Sequence, residues 1–169
     1  MLTFLNVDHD SNLLAVKLIC PDGTVLQSRY RHDYVEHRDA VTGEVYMIDG
    51  GRYTPRATYD SECQLMFVYE EDDHSFVREE FEWGMWDEER GYIFVPIGKL
   101  SSPHVENLET YFLVYFDRVP QWLKNEQNYR KANNIFIEEY DYVEEFYDVA
   151  LEVDVKPTLW ERLKDFFKQ

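Results

Sequence analysis

The chain has 169 residues, 44% hydrophobic and 17% aromatic, which suits one domain with a real core and argues against general disorder. With 34 acidic against 17 basic residues its formal net charge is −17, which disfavours a bare nucleic-acid binder or a protein adhering to an anionic membrane. Cys20 and Cys63 are its two cysteines and no CxxC pair occurs, so neither a zinc knuckle nor a disulfide framework is indicated, and no cofactor is expected.

The opening MLTFLNVDHD lacks the basic start and apolar run of a secretory signal. No stretch approaches the ~18 apolar residues that span a bilayer, so a soluble cytoplasmic protein is expected. Leu13–Cys20 (LLAVKLIC) is a β-rich run, and Pro21-Asp22-Gly23 is a turn in which Pro presets φ and Gly accepts the tight conformation. TVLQSRYRH returns as the second arm of a hairpin. HDYVEH alternates, and DAVTGEVYMIDGG places Thr42-Gly43 at the turn of a second hairpin. Cys63–Asp72 reads as a further strand, and REEFEWGMWDEERGYIFVPI as a strand pair around the acidic loop Asp87–Gly91.

Helices follow Leu100. Ser101-Ser102-Pro103 offers an N-cap with Pro near the first helical position, and apolar residues at 105, 108, 112 and 115 have helical spacing. Pro120 opens a second helix that Asn133-Asn134 breaks. The stretch from Ile135 to Val155 alternates at its start and turns helical in spacing at Tyr142, Phe146 and Val149. In the tail, Thr158 and Glu161 form a capping box ahead of a Leu159, Leu163, Phe166 and Phe167 stripe that closes the core. The expected fold is α+β in a single domain, with an antiparallel β-rich N-terminal half (1–100) packed against a helical C-terminal half (101–169).

For chemistry, His32, Asp33, His37 and Asp49 are the candidates for an acid–base or metal set across the second hairpin. On a strand, Arg31 and Asp33 would face one side and His32 the other, which argues for structural polar residues. Asp49-Gly50-Gly51 lacks the following helix and basic residue of a phosphate loop and reads as a turn. His104, Glu106 and Glu109 lie at a helix start, where acids suit the dipole. No metal set matches a specific spacing.

The acid runs concentrate the excess charge. Their candidate contact residues are Glu79, Glu80, Glu82, Trp83, Trp86 and Asp87, then Glu138, Glu139, Asp141, Tyr142, Glu144 and Glu145. A full imitation of duplex DNA over a domain about 40 Å across would need about 24 carboxylates on one surface, so only partial mimicry is attainable. A basic protein surface is the partner this composition suits.

SRYRHDYV followed by VYMIDGGRYTPR resembles a pattern in small uncharacterised proteins of tailed bacteriophages. There an RHD[YF]V stretch precedes VDGG and a Tyr with arginines. Arg31, His32, Asp33, Tyr34 and Val35 match the first block, and Asp49, Gly50, Gly51, Tyr53 and Arg56 the second. FVREEFEWG is similar to a VRExFxWG block of the same proteins, and VPQWLKNEQNYRKANNIFIEEYD to their closing helix and strand. Some relatives carry CxxC pairs resembling a zinc site, for which Cys20 has no counterpart partners here. The resemblance implies a viral product acting in the host bacterial cytoplasm. The expected function is a phage-encoded acidic accessory protein that binds and modulates a host protein, such as a defence or nucleic-acid enzyme. The alternatives are a small enzyme or metal-binding module at His32, Asp33, His37 and Asp49, and a virion-associated structural protein.

Overall fold

Short β-rich runs with turn residues between them pair antiparallel throughout the first hundred residues. The computed structural model describes residues 1–139. A four-stranded sheet has the order β1-β6-β5-β4, built from β1 (Thr3–Asn6), β4 (Val35–Arg38), β5 (Val45–Asp49) and β6 (Arg56–Tyr59). A three-stranded sheet has the order β3-β2-β7, from β2 (Leu13–Ile19), β3 (Val25–Gln27) and β7 (Gln64–Tyr69). β8 (Glu82–Asp87) and β9 (Gly91–Pro96) form a hairpin around the acidic loop. Both anticipated turns hold: β2 pairs with β3 across Pro21–Gly23, and β4 with β5 across Thr42-Gly43.

β2 is the central strand and is buried on both faces, which explains its unbroken apolar run. Leu13, Val16 and Leu18 join Tyr46, Ile48 and Ala57 of the four-stranded sheet in one core cluster. Leu14 and Ala15 join Val68, Val77, Leu108 and Leu123 in the other, on the helical side. Two consecutive residues face the same way because the β2–β7 register shifts between Leu13 and Ala15, a bulge that re-aims the strand. One domain therefore has three layers, with the small sheet shared by both cores.

The helices are α1 (His74–Glu80), α2 (Ser102–Phe116) and α3 (Gln121–Asn133). Ser101 caps α2 by accepting the His104 N–H, and Asn134 ends α3 in a left-handed conformation at φ 53°. In α2, Val105 and Leu108 are buried and Phe112 packs against them, but Tyr115 is exposed, so the expected stripe stops short of the helix end.

Two expectations are corrected, and one strand pair was not foreseen. Residues 78–80, read as the start of a strand, lie in α1; Asp73 caps that helix by accepting the Ser75 N–H at 2.9 Å, and the strand begins only at Glu82. Arg31 and His32 form a turn rather than a strand, closed by the Asp33 N–H donating to the Tyr30 carbonyl at 3.0 Å. Strand alternation therefore does not govern Arg31, His32 and Asp33. The edge strand β1 and its partner β6 had no distinct signal in the sequence. The helical spacing at Tyr142, Phe146 and Val149 and the tail stripe lie outside the described residues.

Candidate functional site

The RHD and DGG segments fold onto each other. The Ser28 hydroxyl donates to the Asp33 carbonyl at 2.7 Å and accepts the Gly51 N–H at 2.7 Å. The Asp33 carboxylate accepts the Arg29 N–H at 2.7 Å. Gly51 has φ +57°, and a Cβ there would sit 2.8 Å from the Tyr30 carbonyl carbon, so the backbone approach requires glycine. This lock sets Arg29, Tyr30, Arg52 and Tyr53 along one wall of a cleft of about 770 Å³.

The second wall comes from Phe81, Glu82, Trp83 and Gly84, with Tyr92 and Phe94 from the facing strand. Gly84 makes this wall flat: a Cβ there would lie 2.2 Å from the Tyr92 hydroxyl and 3.1 Å from the Phe94 ring. The third wall is the last half of α2 and the start of α3, with Tyr111, Phe112, Phe116 and Trp122. Trp83 lies 5.5 Å from both Phe112 and Trp122 between ring centroids, which welds the second wall to the third. The RHD–DGG, EFEWG and VPQWL segments of the sequence thus meet at one place.

The charge lining the cleft is opposite in sign to the chain's net charge. Among the described residues four cations (Arg29, Arg52, Arg118 and Lys124) line it against two carboxylates, Glu70 and Glu82. Arg29 bonds Glu82 at 2.6 Å and lies over the Phe94 ring at 5.2 Å. Glu70 accepts the Trp122 N–H at 2.8 Å. Arg52 stands 5.3 Å over the Tyr53 ring. Burial pushes the Tyr92 and Tyr111 phenols upward in pKa, so both stay neutral hydroxyls.

Beneath the third wall a buried carboxylate fixes the helices. Glu126 is fully buried and takes His74 Nε2 at 2.9 Å, Arg78 Nε at 2.9 Å and Arg130 Nε at 2.6 Å. Arg130 also donates to the Ile97 carbonyl at 2.9 Å and to Ser102 Oγ at 3.3 Å. Burial opposes the Glu126 charge, but the hydrogen bonds from His74, Arg78 and Arg130 win and hold its pKa down at about 2.

Of the acid–base candidates, His37 pairs with Asp22, whereas Asp33 and Asp49 lie near each other. His32 is exposed in its turn, whereas Asp33 is buried, and burial raises its pKa with the nearby Asp49 charge adding to it. Asp49 pairs with Arg56. His37 Nε2 instead meets Asp22 at 2.6 Å. Asp22, His37 and Asp39 present ligand atoms within 4.8 Å of one another, a grouping the sequence reading missed. Their carboxylates already serve the two hairpin loops. Asp39 accepts the Asp22, Val41 and Thr42 N–H groups, and Asp22 accepts those of Thr24 and Ala40. The His37 hydrogen bond, then the Ala40 and Thr24 N–H groups, drive the Asp22 pKa far down. This arrangement cross-braces two turns.

The predicted acidic contact residues divide too. Glu79, Glu138 and Glu139 are exposed. Glu80 pairs with Lys17 at 2.6 Å, Glu82 with Arg29, and Asp87 caps its own turn by accepting the Glu89 and Arg90 N–H groups, so these three brace the fold. Trp83 lines the cleft and Trp86 is 38% exposed. Asp141, Tyr142, Glu144 and Glu145 lie outside the described residues. The cleft residues Arg52, Tyr92, Tyr111 and Arg118 were not anticipated. No local spacing marks them, since they come from four separate elements.

Compared with protein-family models, curated proteins and solved structures, the chain matches none.

Proposed function

We propose that this chain is a tailed-phage accessory protein that works by binding a basic-surfaced host protein in the bacterial cytoplasm. The carrying observation is the end of α2. Leu113, Val114, Tyr115 and Phe116 are 49%, 64%, 50% and 61% exposed in succession. Four consecutive residues encircle a helix turn, so this end projects as an apolar knob. Contiguous apolar surface of this kind marks interaction sites, and aromatic side chains anchor interfaces.

Charge supports the choice of partner. The net −17 speeds encounter with a positive surface. Exposed carboxylates such as Asp8, Glu44, Glu62, Glu88 and Glu106 are distributed over several loops and helices. That distribution suits a general negative field better than a strand-like imitation of DNA. The phage origin rests on the sequence resemblance alone. Inhibition of a host defence or nucleic-acid enzyme fits this chemistry, because such enzymes carry basic substrate-binding surfaces.

The test starts with the tagged full chain in infected cells, identifies the bound host protein, and repeats the binding with both components purified. Leu113→Ser and Val114→Ser are expected to weaken binding at least about tenfold, and added salt to slow association. Unchanged affinity in both variants together with salt-independent association would sink the reading.

A further inference from the structure

We propose that the aromatic cleft is a binding site for a small anion carrying a planar ring, with a mononucleotide as the ligand class. This goes beyond the protein-binding reading: the cleft shares Phe116 with the apolar end of α2, but Leu113, Val114 and Tyr115 do not line it.

Charge inverts locally at the cleft. The chain carries −17 overall, yet among the described residues four cations line the cleft against two carboxylates. Both carboxylates are engaged, Glu82 by Arg29 at 2.6 Å and Glu70 by the Trp122 N–H at 2.8 Å. Arg52, Arg118 and Lys124 make no ion pair with any described residue. An anion approaching through the negative field of this protein therefore finds unneutralised positive charge here.

Shape and chemistry point the same way. Arg118 and Lys124 are exposed, whereas Arg52 and the rings of Trp83, Tyr92 and Phe112 are half-buried, so two of the cations stand on the solvent side of the rings. That order matches a ligand with a phosphate at one end and a ring at the other. Guanidinium groups suit phosphate because their forked donors match its oxygens. Flat aromatic walls suit a base, which stacks on them regardless of its identity. A volume of about 770 Å³ lies within the range of small-molecule sites.

The walls of the cleft are also held rigidly. Gly84 lets Tyr92 lie flat across β8, and Gly51 clamps the segment bearing Arg29 and Tyr30. A site held in this way loses little freedom when a ligand enters.

The experiment uses the full chain. Adenosine 5′-monophosphate, adenosine and inorganic phosphate are titrated separately by calorimetry, with tryptophan fluorescence reporting on Trp83 and Trp122. The nucleotide is expected to bind, with adenosine and phosphate each at least about tenfold weaker because each forfeits one half of the site. Arg52→Ala and Arg118→Ala are each expected to weaken the nucleotide roughly tenfold while the melting curve stays unchanged. Leu113→Ser is expected to leave it unchanged, which separates this result from the host-protein contact. Three results overturn the proposal. One is no nucleotide binding up to ~1 mM. Another is phosphate binding as tightly as the nucleotide, which would leave only a simple anion site. The last is nucleotide affinity left unchanged in both the Arg52→Ala and Arg118→Ala variants, which would place any binding outside the cleft.

Discussion

Replacing Glu126 with Gln keeps the shape of the side chain and removes one buried charge. In the native chain that carboxylate is fully buried against Arg78, Arg130 and His74. Gln leaves two guanidinium groups facing a neutral amide in a site that water does not reach. Removing one partner from a buried ion pair costs about 3–5 kcal/mol. Arg130 keeps its bonds to the Ile97 carbonyl and Ser102, which places the expected loss near the low end. Proton linkage leads to the same size independently. The carboxyl sits at about 2 instead of its ordinary 4.5, and at 1.36 kcal/mol per decade the difference is about 3 kcal/mol. Because the folded value lies below the unfolded one, this stabilisation is complete above pH 4.5 and is lost as pH falls toward 2. Urea unfolding of both proteins across pH 7 to 2 measures it. Glu126→Gln is expected to lose about 3 kcal/mol at pH 7, roughly 6–12 °C in Tm, with the gap closing on acidification. A loss under about 1 kcal/mol at pH 7, or a gap of constant size at all pH values, would refute the reasoning.

Gly51→Ala is expected to cost about 1–3 kcal/mol, since φ is +57° and its Cβ would press on the Tyr30 backbone. Gly23→Ala is the control: φ is +88° but nothing lies within 4 Å, so its denaturation midpoint should move less. Burial pushes the Cys20 thiol up to about 12 and raises that of Cys63, so both should react slowly with a disulfide reagent in the folded chain. Cys63 should react first, being only partly buried; equal rates would contradict this. Burial depresses His104 to about 4, so its NMR titration midpoint should fall there and return to about 6.5 on unfolding. The unfolded chain then binds the proton first, and stability declines between pH 6.5 and 4; a folded-state midpoint near 6.5 would rule this out.

Much of the secondary structure was readable because its signals are local. Pro21-Asp22-Gly23, Thr42-Gly43, Ser101 and Asn134 each act through their own backbone conformation or a neighbour's N–H. α1 was missed because only Val77 of its seven residues is fully buried, which leaves little helical periodicity among the acids. Asp73 with Ser75 two positions later was the available signal. β1 was missed because it is a short edge strand with a largely exposed pattern. The acidic runs show how little residue type says about availability. Glu79 and Glu80 are neighbours, yet one is exposed and the other is held by Lys17, sixty-three positions away in the chain.

By itself the sequence determined the α+β class, both β-hairpin turns, the capped helices after Leu100 and the net −17. Composition and nearest neighbours suffice for these, because turns, caps and net charge need no distant partner. Only the tertiary structure decided that Arg29, Arg52, Arg118 and Lys124 line one aromatic cleft, that Glu126 is the buried centre of a charged cluster, and that His37 meets Asp22 while Asp33 and Asp49 lie near each other. Those outcomes depend on a bulge in β2, on two glycines that admit close contacts, and on pairings between residues far apart in sequence. Such contacts form only once the layers have packed, so no window of the sequence contains them.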